Sequence, residues 1–214
     1  MRIYIVRHGE TDANRRGVFQ GRVNSQLLES GFELARQVGA ALADVRFDVA
    51  FSSPLSRAWD TARTVLAASG NADVPLQREE RLLEISMGEF EGKRFRPGER
   101  EVDPEVVRLF FEDPFALPDF PGGEGVADVL ARTREFLDWL VAREHETVLV
   151  STHGFAMRAL LNSLYDDPSD FWQGHVPYNC SVSIVEADAT ACRLVASDQI
   201  LYDPALAVDR YANH

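Results

Sequence analysis

The sequence predicts an α/β fold: a three-layer sandwich with a mainly parallel central sheet flanked by helices, plus an inserted cap segment and a C-terminal β-hairpin. Three observations carry this. Short β-rich apolar runs alternate with segments of helical period from the first residues to about residue 164, the pattern of strand–helix–strand crossovers. A stretch rich in proline and phenylalanine interrupts the alternation at 88–124. Two alternating runs, 179–187 and 192–199, sit across a short turn.

Residues 2–6 read as a buried strand, and 8–29, rich in Gly, Asn and Arg, as a loop. Ser30 followed by Glu33 reads as a capping box that opens a helix through about residue 44. Its Phe32, Ala35, Val38, Ala41 and Leu42 keep helical spacing. Residues 48–52 form a second buried strand. Ser53 then caps a helix with Pro54 at its first position, running to about residue 68. Residues 74–78 are a weaker strand.

Pro97, Pro104, Pro114, Pro118 and Pro121 make 88–124 irregular, with a short helix at 105–112. Phe95, Phe110, Phe111, Phe115 and Phe120 mark the segment as a cover over one face and not a linker. A long amphipathic helix follows at 125–144, with Val126, Val129, Leu130, Phe136, Leu137 and Leu140 on one stripe. Then come a buried strand at 147–151 and a helix at 155–164. The whole reads as one domain over 1–214.

The 34 acidic and 22 basic side chains give a net charge of −12. That balance argues against nucleic acid or an anionic membrane as partner, so any anion site must be built from local positive charge. No apolar run approaches the ~20 residues of a membrane span, and no signal peptide is evident, so a cytoplasmic protein is expected. Cys180 and Cys192 fall at opposite ends of the expected hairpin, too far apart to bridge. Unpaired thiols fit a reducing compartment.

In a parallel sheet, ligands bind beyond the carboxyl ends of the strands. Those ends read Arg7-His8-Gly9-Glu10-Thr11, Ser52-Ser53-Pro54-Leu55-Ser56-Arg57 and Thr152-His153-Gly154. Singly, each His or Arg is as readily a structural hydrogen-bonder or a surface charge. Together they set two imidazoles and two guanidiniums beside two helix N-termini, a cradle for phosphate. A neutral imidazole there is a nucleophile aimed at phosphorus. No metal is expected, because adjacent arginines repel a cation and further ligands are not at ligand spacing.

At these residues the sequence resembles the histidine phosphatase superfamily, the phosphoglycerate mutase-like proteins. The ordered set is Arg7-His8-Gly9-Glu10-Thr11 with Asn14, Phe19-Gln20-Gly21-Arg22, Ser53-Pro54-Leu55-Ser56-Arg57, Leu83-Glu84-Ile85 with Gly88 and Glu89, Pro121-Gly122-Gly123-Glu124, and Thr152-His153-Gly154. The resemblance implies His8 as the nucleophile that becomes phosphohistidine. It implies that Arg7, Arg57 and His153 hold the phosphoryl group and that Glu84 is the proton donor. Asn14, Gln20, Gly21 and the Phe155 backbone would line the substrate side. The chemistry agrees, since an alkoxide leaves poorly without a proton. Glu84 lies among Leu82, Leu83, Ile85 and Met87, which would take it out of water; otherwise it reads as a surface partner of Arg81.

The resemblance implies no cofactor and a small phosphomonoester as partner; the C-terminal hairpin edge would allow a homodimer. A phosphatase is expected ahead of a cofactor-dependent phosphoglycerate mutase. Met87 stands three residues after Glu84, and no arginine pair occurs in 97–124 to anchor a phosphoglycerate. A non-catalytic regulatory module would have lost His8, Arg57, Glu84 or His153; all are present. His145, between two glutamates at a helix end, reads as solvated, and His214 is the last residue of the sequence; His175 reads as a loop hydrogen-bonder that could reach the pocket rim, and Trp59, Trp139 and Trp172 read as core. Arg15, Arg16 and Arg22 divide between substrate contact and solvated charge.

Overall fold

The computed structural model describes residues 1–188 and 191–211. Strand β1 (Arg2–Arg7) leads to a one-turn helix α1 (Asp12–Arg16), then α2 (Glu29–Ala41), β2 (Val49–Ser52), α3 (Ser56–Ala68) and β3 (Leu76–Arg78). Helix α4 (Pro104–Glu112) lies in the irregular stretch. It is followed by α5 (Val126–Val141), β4 (Thr147–Thr152), α6 (Gly154–Leu161), β5 (Val182–Ala187) and β6 (Cys192–Gln199). The sheet runs β3-β2-β4-β1-β5-β6. The first four strands are parallel neighbours, β5 is antiparallel to β1, and β6 is antiparallel to β5. The expected mainly parallel sandwich with a C-terminal hairpin is what forms.

Strand β1 explains the layers. Ile3 and Ile5 pack with Phe136, Leu137 and Leu140 of α5 and Met157 and Leu160 of α6. Tyr4 and Val6, on the opposite face, pack with Leu34, Ala35 and Val38 of α2 and Val65 and Leu66 of α3. A strand covered on both faces has no polar side to show, which is why β1 reads as a continuous apolar run.

Residues 88–124 build a third cluster. Phe95, Phe110, Phe111 and Phe120 pack with Phe19, Phe155, Phe171 and Trp172. Phe115 departs from expectation: it is exposed, with its ring edge against Phe171.

Neither serine is the N-cap of its expected helix, and each also has a distant partner. Helix α2 starts at Glu29 behind Leu28, without a side-chain cap, and Ser30 Oγ donates to Glu10 Oε2 at 2.5 Å. Helix α3 starts only at Ser56, where Ser53 Oγ keeps one weak local bond from Leu55 N–H at 3.4 Å while its shorter bond, 2.8 Å, runs to His153 Nε2. The expected loop at 8–29 holds α1, capped by Thr11 with Asn14 bonding back to the Thr11 backbone. Helix α6 ends at Leu161, and a 3₁₀ turn, Asn162–Leu164, completes the expected length.

Cys192 lies opposite Ala187 as expected, and both cysteines are free thiols. The hairpin turn (189–190) and His214 lie outside the described residues. Among the described residues no helix is long and apolar enough to cross a membrane.

Candidate active site

Strands β2, β4 and β1 are parallel neighbours, so their carboxyl ends lie side by side. They deliver Ser53, His153 and His8. Backbone bonds lock the delivery: His8 N–H donates to Thr152 O at 2.9 Å and Ser53 N–H to Ser151 O at 3.0 Å. Asn179, just before β5, donates its side-chain amide to His8 O at 3.0 Å. Gly9 is required here, since a Cβ would sit 2.6 Å from Gly31 O on α2.

His8 is 2 % exposed. Its Nδ1 lies 2.7 Å from Gly9 O. A carbonyl can only accept, so Nδ1 carries the hydrogen and Nε2 presents a lone pair. Burial, reinforced by the Arg57 and Arg7 charges, holds the His8 pKa well below its ordinary 6.5. The imidazole is therefore neutral at physiological pH.

Arg57 projects from the first turn of α3. Its Nε donates to His153 Nδ1 at 3.1 Å, and its two terminal nitrogens donate to Gly21 O at 2.7 Å and Val23 O at 2.8 Å. Burial brings its pKa down to about 10. Arg7 donates to Pro177 O and, at 2.8 Å, to the Tyr211 hydroxyl. Its buried Nε has no hydrogen-bond partner among the described residues.

Glu84 is half of a clasp on α6. Its Oε2 accepts from Phe155 N–H at 3.2 Å and its Oε1 from Ala156 N–H at 3.0 Å, with Ile85 N–H at 3.0 Å. It is not the surface partner of Arg81, which pairs with Glu79 and Glu135. The buried neighbours Leu82 and Ile85 take Glu84 out of water as expected.

A cavity of about 50 Å³ lies over His8, lined by Arg7, Gln20, Gly21, Arg57, Glu84, Phe155 and an apolar wall of Phe19, Met87, Phe95, Phe110, Phe111, Trp172 and Tyr211. Seven of the nine expected site residues meet there. Two do not line it. His153 stands behind His8, ring centroids 5.2 Å apart, with both nitrogens engaged by Arg57 and Ser53. Asn14 is buried under the Thr11 cap and donates to Tyr211 at 2.9 Å. The Phe155 N–H, expected on the substrate side, is taken by Glu84.

Gly21 has φ +49° and a Cβ would lie 2.3 Å from Glu91 Oε1, so a side chain here would strain the turn and displace Glu91. The loop arginines are neutralised locally: Arg15 by Glu10, Arg16 by Asp12 and Arg22 by Glu124. None lines the cavity over His8. Trp172 lines it as well as packing in the core. Tyr211, which nothing in the sequence singles out, stacks on Phe95, lies tilted against Phe111 and reaches Arg7 and Asn14. No group of three or more His, Cys, Asp or Glu among the described residues is arranged to hold a metal ion.

The family model described as the histidine phosphatase superfamily (branch 1) matches residues 3–199. Phosphoserine phosphatase 1 of Hydrogenobacter thermophilus is 32% identical over 190 residues, 88% of this chain and 87% of that protein. A 2,3-bisphosphoglycerate-dependent phosphoglycerate mutase of Gloeobacter violaceus is 34% identical over 165 residues, 76% of this chain and 74% of its own length. The solved structure of YhfR from Bacillus stearothermophilus superposes with a TM-score of 0.83 at 33% identity, covering 93% of this chain and 97% of that one.

Proposed function

This chain belongs to the histidine phosphatase superfamily, and from that premise we propose that it is a metal-independent phosphomonoester hydrolase working through phosphohistidine at His8. One observation carries the mechanism: a buried, neutral His8 whose Nδ1–H is fixed on Gly9 O, leaving Nε2 as the nucleophile in a cavity that Arg7 and Arg57 also line. The Nε2 lone pair forms a bond to phosphorus as the P–O bond to the leaving group breaks. Glu84, in the same cavity, gives the departing oxygen its proton. It then takes a proton from water, whose oxygen attacks phosphorus and frees His8 and inorganic phosphate. Arg7 and Arg57 offset charge on the phosphoryl oxygens. The two arginines also disfavour a cation at this site.

The cavity lining supports hydrolysis over mutase chemistry. Among the described residues its cationic lining is Arg7 and Arg57, and the rest is largely apolar. Holding a phosphoglycerate through a second transfer needs further cations for its carboxylate. The substrate class is a small phosphomonoester, with neither nucleic acid nor membrane as partner. Free thiols at Cys180 and Cys192 support a cytoplasmic location. The exposed edge of β6 supports assembly of two copies, which sedimentation would test.

The test is turnover of 4-nitrophenyl phosphate in the presence of a chelator, with alkaline quenching to trap labelled phosphate on His8. His8→Ala should abolish both trapping and at least about 10³-fold of turnover. Full turnover by that variant would overturn the mechanism.

A further inference from the structure

The loop that carries Glu84 is pinned at four successive carbonyls. Arg132 of α5 holds three: Nη1 donates to Arg81 O at 2.8 Å and Leu83 O at 2.7 Å, and Nη2 to Glu84 O at 3.2 Å. The fourth, Leu82 O, accepts from Thr152 Oγ1 at 2.8 Å. Thr152 immediately precedes His153 at the end of β4.

The remaining donors of Arg132 go to Glu124. Nε bonds Oε1 at 3.0 Å and Nη2 bonds Oε2 at 3.1 Å. All five guanidinium hydrogens are thus spent. Glu124 in turn accepts from Ser86 N–H at 2.9 Å, two residues past Glu84, and pairs with Arg22 at 2.9 Å. Burial works against the Glu124 charge, but Arg132, the Ser86 N–H and Arg22 hold its pKa below the ordinary value.

We propose that Arg132 is the positioning residue for the proton donor: its fork fixes the backbone of 81–84 so that Glu84 meets the leaving-group oxygen. The inference rests on the hydrolase reading and on Glu84 as its acid. Arg132 itself does not line the cavity. A planar fork with five fixed donors can gather three carbonyls and a carboxylate; a lysine, with three donors on one nitrogen, cannot.

The experiment uses two esters of similar size. Benzyl phosphate departs as a poor alkoxide that needs a proton, whereas 4-nitrophenyl phosphate departs as a stable phenolate that does not. Arg132→Met should lower kcat/KM, which reports phosphoryl transfer to His8 and not the later attack of water, on the order of 10²-fold for benzyl phosphate, and by less than about threefold for 4-nitrophenyl phosphate, the small change expected where proton transfer is dispensable. Arg132→Lys should fall between parent and Met variant on benzyl phosphate, and serves if the Met variant does not fold. Arg134→Met, from an exposed ion pair with Asp138 on the same helix, should leave both esters unchanged. Equal loss of kcat/KM on both esters, or no loss on either, would overturn the proposal. Failure of the parent protein to hydrolyse either ester would instead overturn the hydrolase reading, and the positioning role with it.

Discussion

Arg57 Nε donates to His153 Nδ1 across 3.1 Å, and this single bond fixes the state of the second histidine. A guanidinium has only donors, so Nδ1 must be an unprotonated acceptor. Burial first, then the Arg57 charge, holds the His153 pKa well below 6.5. The neutral ring then carries its hydrogen on Nε2, directed at Ser53 Oγ. His153 therefore acts through Arg57. His153→Phe keeps the ring volume but removes the acceptor, and kcat should fall on the order of 10²-fold with little loss of folded protein. Unchanged kcat in steady-state kinetics would mean that Gly21 O and Val23 O suffice to aim Arg57.

His8 and His153 both have pKa values lowered by burial. The unfolded chain, near 6.5, takes up protons first as pH falls. Stability is therefore complete above about pH 6.5 and declines below it, by up to about 1.4 kcal/mol per pH unit for each histidine. Melting temperatures measured from pH 7.5 to 5.5 should be level and then drop, with a shallower drop in His8→Gln. A level profile throughout would contradict burial of both rings as neutral species.

Tyr211 occupies a donor of Arg7 and one of Asn14 through its hydroxyl. The cavity beside it, about 50 Å³, holds only a few water-sized groups. A phosphate reaching Arg7 must compete with that hydroxyl. Tyr211→Phe should tighten inhibition by inorganic phosphate by roughly 2- to 10-fold, the value of one ordinary hydrogen bond. Weaker inhibition would mean the hydroxyl helps to hold phosphate.

Gly21→Ala should cost about 1–3 kcal/mol, because the turn has positive φ and the new Cβ meets Glu91. It should also release the Gly21 carbonyl from Arg57. Thermal unfolding and kcat together check this: a normal melting temperature would show that the loop relaxes freely.

The sheet was legible because each buried strand is a compact apolar run and each ends in a polar cluster. That is why Arg7, His8, Arg57 and His153 could be brought together from sequence. The two serines misled for a complementary reason. Ser30 and Ser53 have good local capping sequences, but their shortest hydroxyl bonds run to Glu10 and His153, distant in sequence, and each helix starts behind another residue. Tyr211 and Arg132 left no local trace, since their partners lie at Arg7 and at residues 81–84. Long-range polar contacts of this kind have no periodicity to read.

The position of β1 bears on how the protein is made. Its neighbours are β4 and β5: Arg2 pairs with Thr147, and Val6 with Val182. A nascent chain therefore carries Ile3-Tyr4-Ile5-Val6 as an unpaired apolar segment through most of translation, a target for chaperones and a risk for aggregation. The same arrangement leaves the His8 backbone without its anchors from Thr152 and Asn179 until late in synthesis, so the nucleophile is assembled late although it is translated early.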